Sequence, residues 1–207
     1  SESWERRYVR GIGTDRAINS LKQGFAIGFE SRIDDTLRWL QGMVTQYPNA
    51  DLKLQIFGFS RGAAISRAFV NELSKDKTRR KYKLAKTNIE VELLALFDTV
   101  GSVGIPGNGV DLGIDLTVHA SRIKKVIHLV AQSEVRGKFD LWSIRCPLNK
   151  QDSMEAAPED WGKIQNQAQL PNADWEEWIL PGMHSDVGGG YGQEEWIPDS
   201  PAPEPLP

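Results

Sequence analysis

Between Leu52 and Phe69 the chain reads Leu-Lys-Leu-Gln-Ile-Phe-Gly-Phe-Ser-Arg-Gly-Ala-Ala-Ile-Ser-Arg-Ala-Phe, and no other stretch restricts the fold as tightly. The apolar run of Leu52, Leu54, Ile56 and Phe57 predicts a buried strand. Ala63, Ala64, Ala68 and Phe69 suit a helix laid against a sheet. Between them stands Gly58-x-Ser60-x-Gly62, the pattern of a sharp strand-to-helix turn that holds its serine in a strained backbone conformation and lifts the hydroxyl above the sheet edge. Both glycines are expected where strand and helix cross too closely for a β-carbon.

The rest of the chain repeats the alternation of strand and helix. Arg7-Tyr8-Val9 reads as a short strand running into the glycine-rich loop Gly11-Ile-Gly13-Thr14. A helix is expected from Ser31, with Asp34 in a capping-box position, through Ile33, Leu37, Leu40, Val44 and Tyr47 to a stop at Pro48. The helix after Ser60 runs to about Leu73, and Lys75 to Lys83 is a basic connector. Glu90 to Phe97 reads as a second buried strand closing on Asp98. Lys125 to Ala131 fits either a strand or one side of a helix, and Trp175 to Leu180 fits a strand. This order predicts an α/β fold, a mostly parallel sheet with helices on both faces. At 207 residues the chain suits one such domain, over residues 1–192, followed by a proline-rich linker or tail over 193–207.

Composition narrows the function. Hydrophobic residues make up 40% and charged residues 26%, as in globular proteins, and the net charge of −3 argues against a general nucleic-acid binder. Cys146 is the single cysteine, so no internal disulfide forms. There is no signal-peptide pattern and no stretch of membrane-span length.

In such sheets, reactive groups gather beyond the carboxyl ends of strands, where Ser60, Asp98 and the segment around His184 all fall. A serine hydroxyl needs a base to take its proton as it attacks. The histidines are His119, His128 and His184. His128, within Val126-Ile-His-Leu-Val130, reads as a core histidine, and His119 has no reactive context. His184 sits in the glycine-rich loop Gly182-Met-His-Ser-Asp-Val-Gly-Gly-Gly190 after a strand, so it is the candidate base and acid. Asp98 is the candidate carboxylate that fixes the imidazole's tautomer, with helix capping as its other possible role. The order Ser60, Asp98, His184 is that of α/β-hydrolases, although the acid follows the strand directly after the nucleophile strand, earlier than in many of them. The Arg61 N–H is the first expected oxyanion donor. The second comes from the Gly11–Gly13 loop, with Gly13 the candidate, or from a segment upstream of this chain. No zinc-like ligand set is present: His184-x-Asp186 lacks further ligands, and no metal or cofactor is expected.

Gly58-Phe-Ser-Arg-Gly-Ala-Ala64, Leu96-Phe-Asp-Thr-Val100, Val130-Ala-Gln-Ser-Glu-Val-Arg136 and Gly182 to Tyr191, with Tyr8 to Thr14, together resemble the ordered motifs of the type VI secretion lipase effectors, the Tle class with a Gly-x-Ser-x-Gly elbow. The resemblance covers about residues 7–192. It implies an antibacterial phospholipase using Ser60, Asp98 and His184 on phospholipid acyl esters at a membrane surface. It also implies export without a signal peptide by a contractile injection route on a spike protein, action in a rival's periplasm, and a cognate immunity protein. Two family features are absent: an N-terminal strand with an Asp-Gly-Thr turn, and a downstream region associated with membranes. Two other readings remain, a serine hydrolase of soluble esters or amides and an inert hydrolase-fold binding module.

Lesser features carry plainer expectations. The run Lys75, Lys77, Arg79, Arg80, Lys81, Lys83 reads as a solvated connector, with steering toward anionic lipid the alternative. Trp142, Trp161, Trp175, Trp178 and Trp196 read first as core, then as an acyl pocket or membrane interface. Glu134 and Arg136 read as a structural ion pair.

Overall fold

The computed structural model describes residues 4–11, 21–101, 116–118, 123–132, 142–144 and 174–189. Within them the order is helix α1 (Leu21–Gln46), strand β1 (Leu52–Phe59), helix α2 (Arg61–Ser74), helix α3 (Asp76–Lys81), strands β2 (Ile89–Phe97), β3 (Ile123–Ala131) and β4 (Trp175–Leu180), and a single helical turn, α4 (His184–Val187). The strands form one sheet in the order β1-β2-β3-β4, and every neighbouring pair is parallel. Parallel neighbours require crossover connections, and α2 with α3 supplies the one between β1 and β2. All four strands therefore finish at one edge of the sheet. The α/β expectation holds, and β3 resolves the ambiguity at Lys125 to Ala131 in favour of a strand.

The core forms where α2 lies on the sheet. Ala63, Ala64, Phe69, Val70 and Leu73 of α2 pack with Val91, Leu94 and Leu96 of β2, Val126 of β3 and Trp175 of β4. Small residues at the start of α2 allow its close approach. A β-carbon on Gly58 would lie 2.6 Å from the Gly62 carbonyl oxygen and 2.8 Å from the Ala63 Cα, so only glycine fits there. The expectation for Gly62 is corrected: a β-carbon there would meet nothing within 4 Å, because that position faces away from the crossing.

Helix α1 begins at Leu21, well before the expected start at Ser31. Phe29, Ile33, Leu37 and Leu40 are all buried, one continuous stripe at helical spacing that extends the pattern upstream. Ser31 thus sits inside the helix and caps nothing. The helix ends at Gln46, shortly before Pro48, as expected. Residues 7–9 form no strand, since an extended segment becomes one only when a ladder partner takes its backbone groups. Tyr8 is exposed there, and the Arg10 carbonyl accepts from Arg32 Nε.

The basic connector is partly helix α3 and partly structural. Arg79 is buried and donates to the carbonyls of Leu84 and Thr87, at 3.0 and 2.7 Å. Lys75 pairs with Glu72 and Lys81 with Asp34, which also accepts from the Tyr82 hydroxyl. A helical turn that must close onto the core requires these internal partners, which composition alone does not reveal. Among the tryptophans, Trp175 is core, Trp142 is partly buried and Trp178 is exposed, donating to Glu176. Trp161, Trp196, His119, Cys146, Glu134, Arg136 and the proline-rich tail lie outside the described residues.

Candidate active site

Ser60 stands between β1 and α2 with φ 57° and ψ −123°, a left-handed conformation that side-chain-bearing residues rarely adopt. Serine at such a position ordinarily caps its helix. Here the hydroxyl makes no capping bond, and the Ser60 carbonyl instead accepts from the Ala63 and Ala64 amides. The turn thereby frees the side chain from its usual local role. Arg61, the other elbow residue singled out from sequence, opens α2, where the helix dipole favours developing negative charge.

Asp98 ends β2 in a second left-handed turn, with φ 43°. The two turns share backbone hydrogen bonds: the Ser60 N–H donates to the Phe97 carbonyl at 2.9 Å, and the Val100 N–H donates to the Ser60 carbonyl at 3.4 Å. Strand pairing of β1 with β2, which sets Phe59 opposite Phe97, dictates that closeness. The Asp98 carboxylate is buried. One oxygen accepts from the Ala131 N–H at 3.0 Å, and the other lies 2.7 Å from His184 Nδ1.

His184 opens α4 and is itself buried. The glycine-rich loop expected around it is thus a helical turn at this point. Its ring stacks on Phe59, with centroids 4.6 Å apart and planes at 29°, so it rests against the residue that immediately precedes Ser60. Asp186 serves the turn's geometry: its carboxylate accepts from the Met183 N–H at 2.7 Å, fixing the entry into α4. Gly182, at φ 110°, has no room for a β-carbon because Asp186 occupies that space. The structure therefore brings Asp98 and His184 into contact and sets the Ser60 elbow beside them. Gly13 lies outside the described residues.

A buried cluster lies next to these groups. His128 is fully buried on β3, with Nδ1 2.8 Å from Glu177 Oε2 on β4 and Nε2 3.0 Å from Thr99 Oγ1. Glu177 also accepts from the Ile144 N–H and the Ser143 hydroxyl. The sequence reading of His128 as a core residue agrees with its burial. It passed over Glu177, whose signal was confined to an acidic residue inside a short apolar strand. Burial opposes ionisation of both groups. It pushes the His128 imidazole below its ordinary range, whereas His128 and the Ile144 and Ser143 donors outweigh it at Glu177 and hold that carboxyl at about 2. Among the described residues no group of three or more His, Cys, Asp or Glu side chains is arranged to hold a metal ion. No described helix is long and apolar enough to cross a membrane.

Residues 70–202 match the family model described as the T6SS phospholipase effector Tle1-like catalytic domain. That range starts within α2, after Ser60, and takes in Asp98, His128, Glu177 and His184. Two solved structures are similar over 82% of this chain. The structure of the Tle1 effector bound to the VgrG spike from the type 6 secretion system is 27% identical, with a TM-score of 0.55 and 32% of that chain covered. The crystal structure of an uncharacterized protein from Pseudomonas aeruginosa is 29% identical, with a TM-score of 0.50 and 24% of that chain covered. This chain thus spans a third or less of the length of either. No curated protein matches it.

Proposed function

The chain belongs to the Tle1-like phospholipase effectors of the type VI secretion system, within their catalytic domain, and on that premise we propose that it hydrolyses acyl ester bonds of membrane phospholipids through Ser60, Asp98 and His184. The observation that carries the reading is the buried 2.7 Å contact between Asp98 and His184 beside a left-handed serine elbow.

Asp98 accepts from Nδ1 of His184, so Nε2 is the nitrogen left to take a proton. As the Ser60 hydroxyl attacks the ester carbonyl carbon, its proton passes to Nε2. The carbonyl oxygen becomes an oxyanion, to which the Arg61 N–H donates, with Gly13 as the candidate second donor. Collapse breaks the ester bond. The lysophospholipid leaves with the proton from Nε2, and the acyl group stays on Ser60. Water then repeats the sequence through His184, releasing a fatty acid and restoring the serine.

Partners follow from the same family relation. The similar Tle1 structure is bound to a VgrG spike, and a spike protein is the proposed carrier here. A membrane surface is the proposed site of action, in the periplasm of a target bacterium, with an immunity protein protecting the producer.

The test is mass spectrometry of the products formed from mixed-chain phospholipid vesicles by the protein and by its Ser60→Ala variant. Fatty acid and lysophospholipid from the wild type alone support the reading. Turnover of soluble esters without any on vesicles replaces the substrate class, and inertness on both with an intact Asp98–His184 pair replaces the enzyme with a binding module.

A further inference from the structure

Asp98 sits in a turn that its own backbone disfavours, because φ 43° crowds the β-carbon of any residue but glycine. Such a turn persists only when its neighbours fix it. On the upstream side the Asp98 N–H donates to the Leu129 carbonyl at 2.7 Å, continuing the β2–β3 ladder. On the downstream side the fixing falls to Thr99. Its N–H donates to Nε2 of His128 at 3.2 Å, and its carbonyl accepts from the Trp142 N–H at 3.1 Å.

His128 is well placed for this role because the sheet register aligns it with Glu177 on β4. An N–H directed at Nε2 requires a lone pair there, which assigns the ring proton to Nδ1, facing Glu177 at 2.8 Å. Glu177 is in turn held by the Ser143 hydroxyl and the Ile144 N–H. Arg67 of α2 donates to the Trp142 and Ser143 carbonyls, at 2.5 and 2.9 Å, and fixes the same segment from above. Each link has a defined direction: the Thr99 amide donates to His128 Nε2, and His128 Nδ1, the Ser143 hydroxyl and the Ile144 N–H all donate to Glu177.

A buried imidazole–carboxylate pair is a poor device for stability alone, because apolar residues would fill the same space without the desolvation cost. Its distinctive property is direction: an acceptor of fixed orientation aimed at Thr99, whose N–H and hydroxyl both meet Nε2. We propose that His128 is a positioning residue, held by Glu177 and acting through Thr99 to keep the Asp98 carboxylate aimed at His184. The proposal rests on the reading of Asp98 as the acid that orients the catalytic histidine. His128 touches no substrate and acts only through the turn.

Two variants separate positioning from filling. In His128→Asn the shorter amide still donates toward Glu177 but offers no acceptor to the Thr99 N–H. In His128→Gln the longer side chain brings an oxygen to where Nε2 stood. With a soluble ester, kcat should fall about 10²-fold in His128→Asn with KM unchanged, the penalty of misplacing a catalytic group by about 1 Å. In His128→Gln kcat should stay within several-fold of wild type. Proton NMR supplies a readout independent of turnover: the downfield Nδ1 proton of His184, bonded to Asp98, should broaden or shift upfield in His128→Asn and return in His128→Gln. Wild-type kcat and an unchanged resonance in folded His128→Asn would overturn the positioning role, while inactive Ser60→Ala and His184→Ala variants would leave the catalytic reading standing. If Ser60→Ala stays active, the catalytic reading falls, and the His184 resonance alone still decides whether His128 orients Asp98. Should His128→Asn fail to fold, nitrogen-15 shifts of the wild-type ring decide: a proton on Nδ1 supports the proposal, and one on Nε2 overturns it.

Discussion

His184 Nδ1 lies 2.7 Å from the Asp98 carboxylate although 86 residues separate them in the chain, and both groups are buried. The contact gives the imidazole one orientation and one tautomer. Replacing Asp98 with Asn presents an amide to that nitrogen and selects the wrong tautomer, so turnover should fall by about 10⁴. Asp186→Asn should weaken the turn into α4 and leave most of the activity, because Asp186 accepts from the Met183 N–H. Steady-state kinetics on both variants checks this; the opposite ranking would move the acid to Asp186.

Ser60→Ala should abolish ester hydrolysis and leave the fold intact, since the hydroxyl makes no capping bond to α2. A fluorophosphonate probe should label the wild type and not the variant. Retention of more than a few per cent of wild-type turnover would remove Ser60 as the nucleophile.

The two glycines of the elbow should respond oppositely to alanine. Gly58→Ala drives a β-carbon to within 2.6 Å of the Gly62 carbonyl oxygen, and separating β1 from α2 should cost about 1–3 kcal/mol. Gly62→Ala meets open space inside a helix and should be neutral or stabilising by up to about 1 kcal/mol. Urea denaturation of each variant measures the difference, and equal destabilisation would show that the crossing is not as close as these distances imply.

Stability should decline on acidification in two stages. Burial, opposed by the bond to Glu177, lowers the His128 value in the folded state below its reference of 6.5, so the unfolded chain binds that proton first. Its contribution is complete above about 6.5 and diminishes as pH falls below that value. Glu177, at about 2 when folded against a reference of 4.5, adds a second loss between those values. Thermal melts from pH 8 to 3 should therefore be level at first and then fall. His128→Gln should remove the upper stage and shrink the lower, because His128 is the strongest of the groups that lower Glu177. A wild-type melting temperature that rises between pH 7 and 5 would reverse the sign argued here.

Sequence alone determined what depends on neighbours along the chain. The elbow at Ser60, strands β1, β2 and β4, the end of α1 and the α/β class all follow from local periodicity and from turn residues with few allowed conformations. The same logic singled out Asp98 and His184, since strand ends collect reactive groups in a parallel sheet. Where the local signal was incomplete the reading failed: α1 continued upstream of Ser31, residues 7–9 found no ladder, and Gly62 proved to face open space. Strand β1, expected to be buried, alternates between half-buried and exposed residues with Phe57 exposed, because it pairs on one side only among the described strands.

Only the tertiary structure decided which side chains meet. The strand order and the register that sets His128 opposite Glu177 are properties of pairing between segments far apart in sequence. No periodicity within one strand encodes its neighbour. The closure of α4 onto β3 brings His184 to Asp98, and folding of segment 142–144 over Thr99 fixes the acid turn from the other side. These contacts form because hydrophobic burial drives the elements together. Their geometry is then selected by hydrogen-bonding groups that burial leaves no water to satisfy.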